Sequence, residues 1–145
     1  MSGQIDSMKN ELTLDATLEN LDAVQSFVAQ RLEAADCPIK TQMQVEVVVE
    51  EVFVNIAQYA YVPRTGEATV GVELSGDPAA VTLRFRDRGI PYDPLARQDP
   101  DITAPAEERQ IGGLGILMTK KLMDEVRYEY ADGKNILRLT KRLFG

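Results

Sequence analysis

The spacing of apolar residues along the chain divides it into two kinds of segment. In "NELTLDAT", Leu12 and Leu14 alternate with polar residues, the two-residue repeat of a strand with one buried face. In "LENLDAVQSFVAQRLEAAD", residues Leu18, Leu21, Val24, Phe27, Val28 and Leu32 recur at helical spacing, which predicts a helix capped by Thr17 or Asp15. A second helix is predicted from about Ile39, after Pro38, to a point before Pro63, since proline is tolerated at a helix start and not in its interior. "GEATVGVELSGDPAAVTLRFRD" reads as two alternating strands joined by the turn-forming "SGDPA". Periodicity is lost from Arg88 to Gln110 and returns in "GGLGILMTKKLMDEV", where Leu114, Leu117, Met118 and Leu122 share one helix face. "VRYEYADGKNILRLTKRL" is a hairpin whose Asp132-Gly133 pair suits a tight turn.

Strand, two helices, two strands, a long loop, a helix and two strands predict an α+β fold. The expected architecture is a two-layer sandwich over residues 1–145, with a mixed, mostly antiparallel sheet and helices on one face. The aperiodic stretch at about 88–111 is too long for a simple connection and reads as a lid.

Composition narrows the function classes. The 145 residues are 44% hydrophobic and 27% charged, as in a globular domain. No apolar run approaches the ~20 residues that span a bilayer, and the start lacks a signal-peptide pattern, so a cytoplasmic protein without membrane contact is expected. A net charge of −7 argues against direct nucleic-acid binding, which needs clustered lysine and arginine. The absence of histidine removes Ser-His-Asp catalysis, His-based zinc sites and phosphohistidine transfer together. Acid or base work falls to carboxylates, lysine or tyrosine.

Within the second helix, Val45, Val48, Val52 and Tyr59 form a stripe whose width takes in Glu51 and Asn55, while Glu46 and Glu50 project oppositely. Burying a carboxylate and a carboxamide without partners would cost several kcal/mol, so both are candidates for chemistry. Asp87 ends a strand two residues before Gly89, offering a carboxylate able to accept a hydrogen bond from an exocyclic amine beside a backbone that carries no side chain. Gly112, Gly113 and Gly115 open a helix, where exposed N–H groups and the helix dipole favour phosphate.

Taken in this order, the motifs resemble the Bergerat-type ATP-binding domain of gyrase, sensor histidine kinases and mismatch-repair ATPases. "EEVFVNIAQYAY", "DRGIPYDP" and "GGLGILMTKKLMDEVRYEY…GKNILRLTK" are most similar to blocks of the small bacterial anti-sigma factors that act as serine kinases. The resemblance implies Glu51 as general base, Asn55 as nucleotide and Mg²⁺ ligand, Asp87 as the adenine-reading carboxylate and Gly89 beside the base. It also implies that Gly112, Gly113, Leu114 and Gly115 meet the phosphates, and it sets Thr140 near the adenine. The cofactors so implied are ATP and Mg²⁺. The implied function is phosphorylation of a Ser or Thr on an anti-sigma-factor antagonist, with a sigma factor as a further partner and a homodimer suggested. The alternative is a non-catalytic, ATP-dependent switch that sequesters a sigma factor or another protein. Tyr59 stands where a histidine is common in the family, and Ile111 where some kinases of this branch carry an arginine that could steady transferred phosphate.

Overall fold

The computed structural model describes residues 4–6, 10–76, 79–96 and 113–144. In chain order the elements are β1 (Gln4–Asp6), β2 (Glu11–Asp15), α1 (Leu21–Ala34), α2 (Ile39–Tyr59), β3 (Glu67–Gly76), β4 (Ala79–Asp87), α3 (Gly113–Leu122), β5 (Glu125–Ala131) and β6 (Lys134–Arg142). The six strands form one sheet in the order β1-β2-β3-β4-β6-β5, every neighbouring pair antiparallel. β1 is the element that the hydrophobic pattern did not signal: it is three residues long and its Ile5 is largely exposed, so no alternation develops.

One face of the sheet carries the core. Leu12 and Leu14 of β2, Ala68, Val70 and Val72 of β3, Val81, Leu83 and Phe85 of β4 and Leu137 and Leu139 of β6 are buried against Val24, Phe27, Val28 and Leu32 of α1 and Val45, Val48, Val49, Val52 and Phe53 of α2. This is the predicted two-layer sandwich, with strand period two meeting helix period 3.6 across the layer.

The opposite face is polar and carries the complementary set of each strand. Thr13 and Thr69 share a hydrogen bond of 2.9 Å there, as do Thr82 and Thr140. Glu11 on β2 reaches across β3 to Arg84 and, at 3.0 Å, Arg86 on β4. It passes over Gly71, where a Cβ would come within 3.2 Å of the Arg84 guanidinium.

Two local expectations resolve differently at the atomic level. α1 is not capped by Thr17 or Asp15: a 3₁₀ turn, Leu18–Asn20, precedes it, and the Asn20 carboxamide donates to the Asp15 carbonyl at 2.8 Å. The tighter turn postpones the helix start and leaves Leu18 exposed. The β5–β6 hairpin turns as expected, with Asp132 at φ 55° and Gly133 at φ 75°, the left-handed pair that a two-residue turn of this twist requires.

Candidate functional site

Asp87 is the last residue of β4, 7% exposed, on the helix-facing side of the sheet. Its Oδ1 accepts the Gly89 N–H at 2.9 Å and the Asn135 carboxamide N–H at 3.0 Å. Among the described residues its Oδ2 takes no hydrogen bond. Burial pushes the carboxyl pKa up, and the two donated hydrogen bonds pull against that rise. A buried acceptor with one oxygen anchored and the other without a hydrogen bond is suited to an N–H donor.

The chain after Asp87 is pressed against the end of α2. The Ile90 N–H bonds the Ala60 carbonyl at 3.0 Å, and a Cβ on Gly89 would overlap that carbonyl and the Ala60 side chain. The need for glycine here is therefore the close approach of two backbones, in addition to any room left for a ligand. Tyr61 completes the junction: its hydroxyl donates to the Glu67 carbonyl at 2.5 Å and accepts the Arg88 N–H at 2.7 Å.

Along α2 the stripe is rotated from the expected one. Its buried residues are Val45, Val48, Val49, Val52 and Phe53, so its centre falls about 130° from Glu51 and about 90° from Asn55 at 100° per residue. Glu51 is exposed, Asn55 is half-buried, and Tyr59, beyond the end of the core, is 39% exposed. The expectation that both polar residues fall inside the apolar stripe is thus corrected: Glu51 is on its wet flank and Asn55 at its edge. Neither has a side-chain hydrogen bond among the described residues. Asn55 precedes Ala60 by five residues and Glu51 by nine, about 7 Å and 13 Å along the helix axis. The Asp87 junction and the carboxamide–carboxylate pair are thus spaced along one helix.

α3 packs against α2 and begins at Gly113, so Gly113, Leu114 and Gly115 form its first turn, where backbone N–H groups are without helical acceptors. Gly112 and residues 97–111 of the expected lid lie outside the described residues, and for Leu114 only the backbone is described.

Thr140 is not brought to this cluster. It pairs with Thr82 on the polar face of the sheet, opposite the face that carries Asp87. Alternation decides this, since residues an odd number apart on a strand face opposite ways. The residue of β6 that meets Asp87 is Asn135, directly across the ladder. Its signal in the sequence was a residue disfavoured in strands at the first inward position after the Asp132-Gly133 turn.

The pattern of the histidine kinase-like ATPase domain matches residues 14–141. The serine/threonine-protein kinase BtrW of Bordetella bronchiseptica is 30% identical over 91 residues, covering 63% of this chain and 63% of that protein. The serine-protein kinase RsbW of Bacillus mycoides is 26% identical over 133 residues, covering 89% of this chain and 82% of that protein. The match thus spans less than two thirds of the Bordetella relative's length. In fold, the chain is similar to the RsbU and RsbW domains of a Mycobacterium tuberculosis protein, with a TM-score of 0.64 at 21% identity over 92% of this chain and 32% of that one. It is also similar to a chain of the SiaB-SiaC complex from Pseudomonas aeruginosa, with a TM-score of 0.53 at 19% identity over 93% and 92%.

Proposed function

Because the chain belongs to the histidine kinase-like ATPase domain family, we propose that it binds Mg-ATP and phosphorylates a Ser or Thr hydroxyl on a partner protein, an anti-sigma-factor antagonist. The observation that carries the reading is Asp87: a buried carboxylate with Oδ1 held by two donors and Oδ2 open, at the C-terminal end of the helix that also displays Glu51 and Asn55. Names of relatives support the choice of acceptor, since those cited are serine or serine/threonine protein kinases.

The residues fit the cofactor. Asp87 Oδ2 would accept from the base, Asn55 would offer its amide oxygen to Mg²⁺, and the first turn of α3 would offer N–H groups to the phosphates. Bound Mg-ATP supplies the phosphoryl group and neutralises the charge that builds up during transfer. Glu51 accepts the proton of the attacking hydroxyl, and its exposed position on α2 leaves it reachable by a side chain entering from a partner.

That same exposure favours a second reading, a binding switch that uses ATP to shape a surface for a sigma factor or other protein. Single-turnover transfer from labelled ATP to candidate antagonists separates the two. The kinase reading expects transfer by the native protein and a 10²–10⁴-fold loss in Glu51→Gln, the range for a general base, with ATP affinity held within a few-fold. Equal rates in both proteins would remove Glu51 as the base. Absence of transfer by the native protein, with ATP binding intact, would leave the switch.

A further inference from the structure

One side chain from β6 holds the whole turn that follows Asp87. Asn135 is 8% exposed and donates through Nδ2 to Asp87 Oδ1 at 3.0 Å and to the Ile90 carbonyl at 2.9 Å, with the Gly89 carbonyl at 3.5 Å. Its Oδ1 accepts the Tyr92 N–H at 3.0 Å and the hydroxyl of Tyr128 on β5. Chemistry forces this orientation of the carboxamide. A carboxylate and two carbonyls can only accept and the Tyr92 N–H can only donate, so a flipped amide would set like against like at all four of these contacts; the Tyr128 hydroxyl alone could serve either way.

We propose that Asn135, oriented by Tyr128, is a positioning and specificity-determining residue for the nucleotide base. By occupying Asp87 Oδ1, Asn135 leaves Oδ2 as the single acceptor presented to a ligand. By bonding Ile90 and Tyr92 as well, it sets the chain at Gly89 relative to that oxygen. A base with an exocyclic amine then meets an acceptor, and one with a carbonyl in its place meets a repulsive contact. The inference rests on Asp87 reading the base. Tyr128 is the positioning partner on the far side: without its hydroxyl, Asn135 Oδ1 keeps one donor instead of two.

An Asn135 that merely staples a loop would affect stability and leave base choice unchanged, so the test reads base choice and its pH dependence. Asn135→Asp keeps the size and the acceptor toward Tyr92 and Tyr128 but turns an oxygen toward Asp87. Two carboxylates in contact share one proton, which ties the site to pH. Charged and titratable groups around the pair are Tyr61 and Arg88 at the α2 junction and Tyr128 on β5, with Tyr130 and Asp93 acting on Tyr128. A titration present in the variant and absent from the native protein belongs to the new pair.

Calorimetry on the full chain, with ATP and GTP and Mg²⁺ across the neutral and mildly acid range, is the measurement. The native protein is expected to prefer ATP by tenfold or more, and its pH profile is the baseline. Asn135→Asp is expected to lose tenfold or more of its ATP affinity at neutral pH and to regain it as pH falls. Tyr128→Phe, which removes a single hydroxyl and retains the ring, is expected to lower the ATP/GTP ratio by several-fold. If native discrimination and the native pH profile both persist in Asn135→Asp, this proposal is overturned and Asp87 keeps its role. Should that variant fail to fold, an unchanged ratio in Tyr128→Phe overturns it instead. Equal affinity of the native protein for both nucleotides would overturn the base-reading role of Asp87, and this proposal with it.

Discussion

Burial raises the pKa of the Asp87 carboxyl, so holding it ionised costs the fold stability. A carboxyl whose pKa is raised by burial binds more protons in the native state than in the unfolded one, between its ordinary value and its raised value. Its contribution to stability is therefore greatest in acid and is lost as pH rises through that window. Asp87→Asn removes the charge and can retain both anchors, since an amide oxygen accepts from Gly89 and Asn135 as the carboxylate does. The variant should be more stable than the native protein at pH 7, by about 1.4 kcal/mol for each pKa unit removed, and the gain should vanish in acid; melting temperatures at both pH values check it. It should also weaken ATP binding on the order of tenfold to a hundredfold, because a donor now faces the amine of the base. Glu51 differs: it is exposed, so Glu51→Gln is expected to leave stability within about 0.5 kcal/mol, and any effect on transfer can be assigned to chemistry.

At the scale of elements, the decisive contact is between the end of β4 and the end of α2. A single residue that cannot carry a Cβ, Gly89, lets the two meet, and the Ile90 N–H seals the junction on Ala60. Gly89→Ala must move one backbone against the other. The expected cost is about 1–3 kcal/mol of stability, the range for overpacking a close contact, together with a loss of ATP affinity because Asp87 is displaced. Denaturant unfolding and calorimetry read the two effects separately, and unchanged values in both would show that the junction yields freely. The hairpin of β5 and β6 is the other element the site depends on, since its register sets Asn135 opposite Asp87 and Tyr128 within reach of Asn135.

For the molecule as a whole, the nucleotide reading makes stability depend on ligand and cation together. A ligand at a hundred times its dissociation constant stabilises by about 2.7 kcal/mol, which for a chain of this size is a rise in Tm of roughly 5–10 °C. ATP with Mg²⁺ should produce that rise, and ATP with a chelator should produce much less. The one neutral oxygen that Asn55 contributes cannot balance three phosphates, so Asn55→Ala should shrink the Mg²⁺-dependent part toward zero. Thermal melts of both proteins with and without the cation check this, and a rise independent of Mg²⁺ would remove Asn55 from the cation. Among the described residues no helix is long and apolar enough to cross a membrane.

Residue spacing by itself determined the three helices, five of the six strands, the hairpin turn and the face that α1 presents to the core, because burial of one face imposes a period that a linear sequence displays. It also marked Asp87, Gly89, Glu51 and Asn55, since a polar residue beside an apolar pattern, or a glycine after a strand, stands out locally. Only the tertiary structure decided that Glu51 lies on the wet flank of α2, that Gly89 answers to Ala60, and that Thr140 faces away while Asn135 meets Asp87. Those outcomes depend on how far a helix is rotated against its sheet and on which residues face each other across strands about fifty positions apart in the chain. A shift of one residue in register exchanges the two faces of a strand, and the local pattern of β6, with polar residues at both Asn135 and Thr140, is compatible with either being the one turned inward.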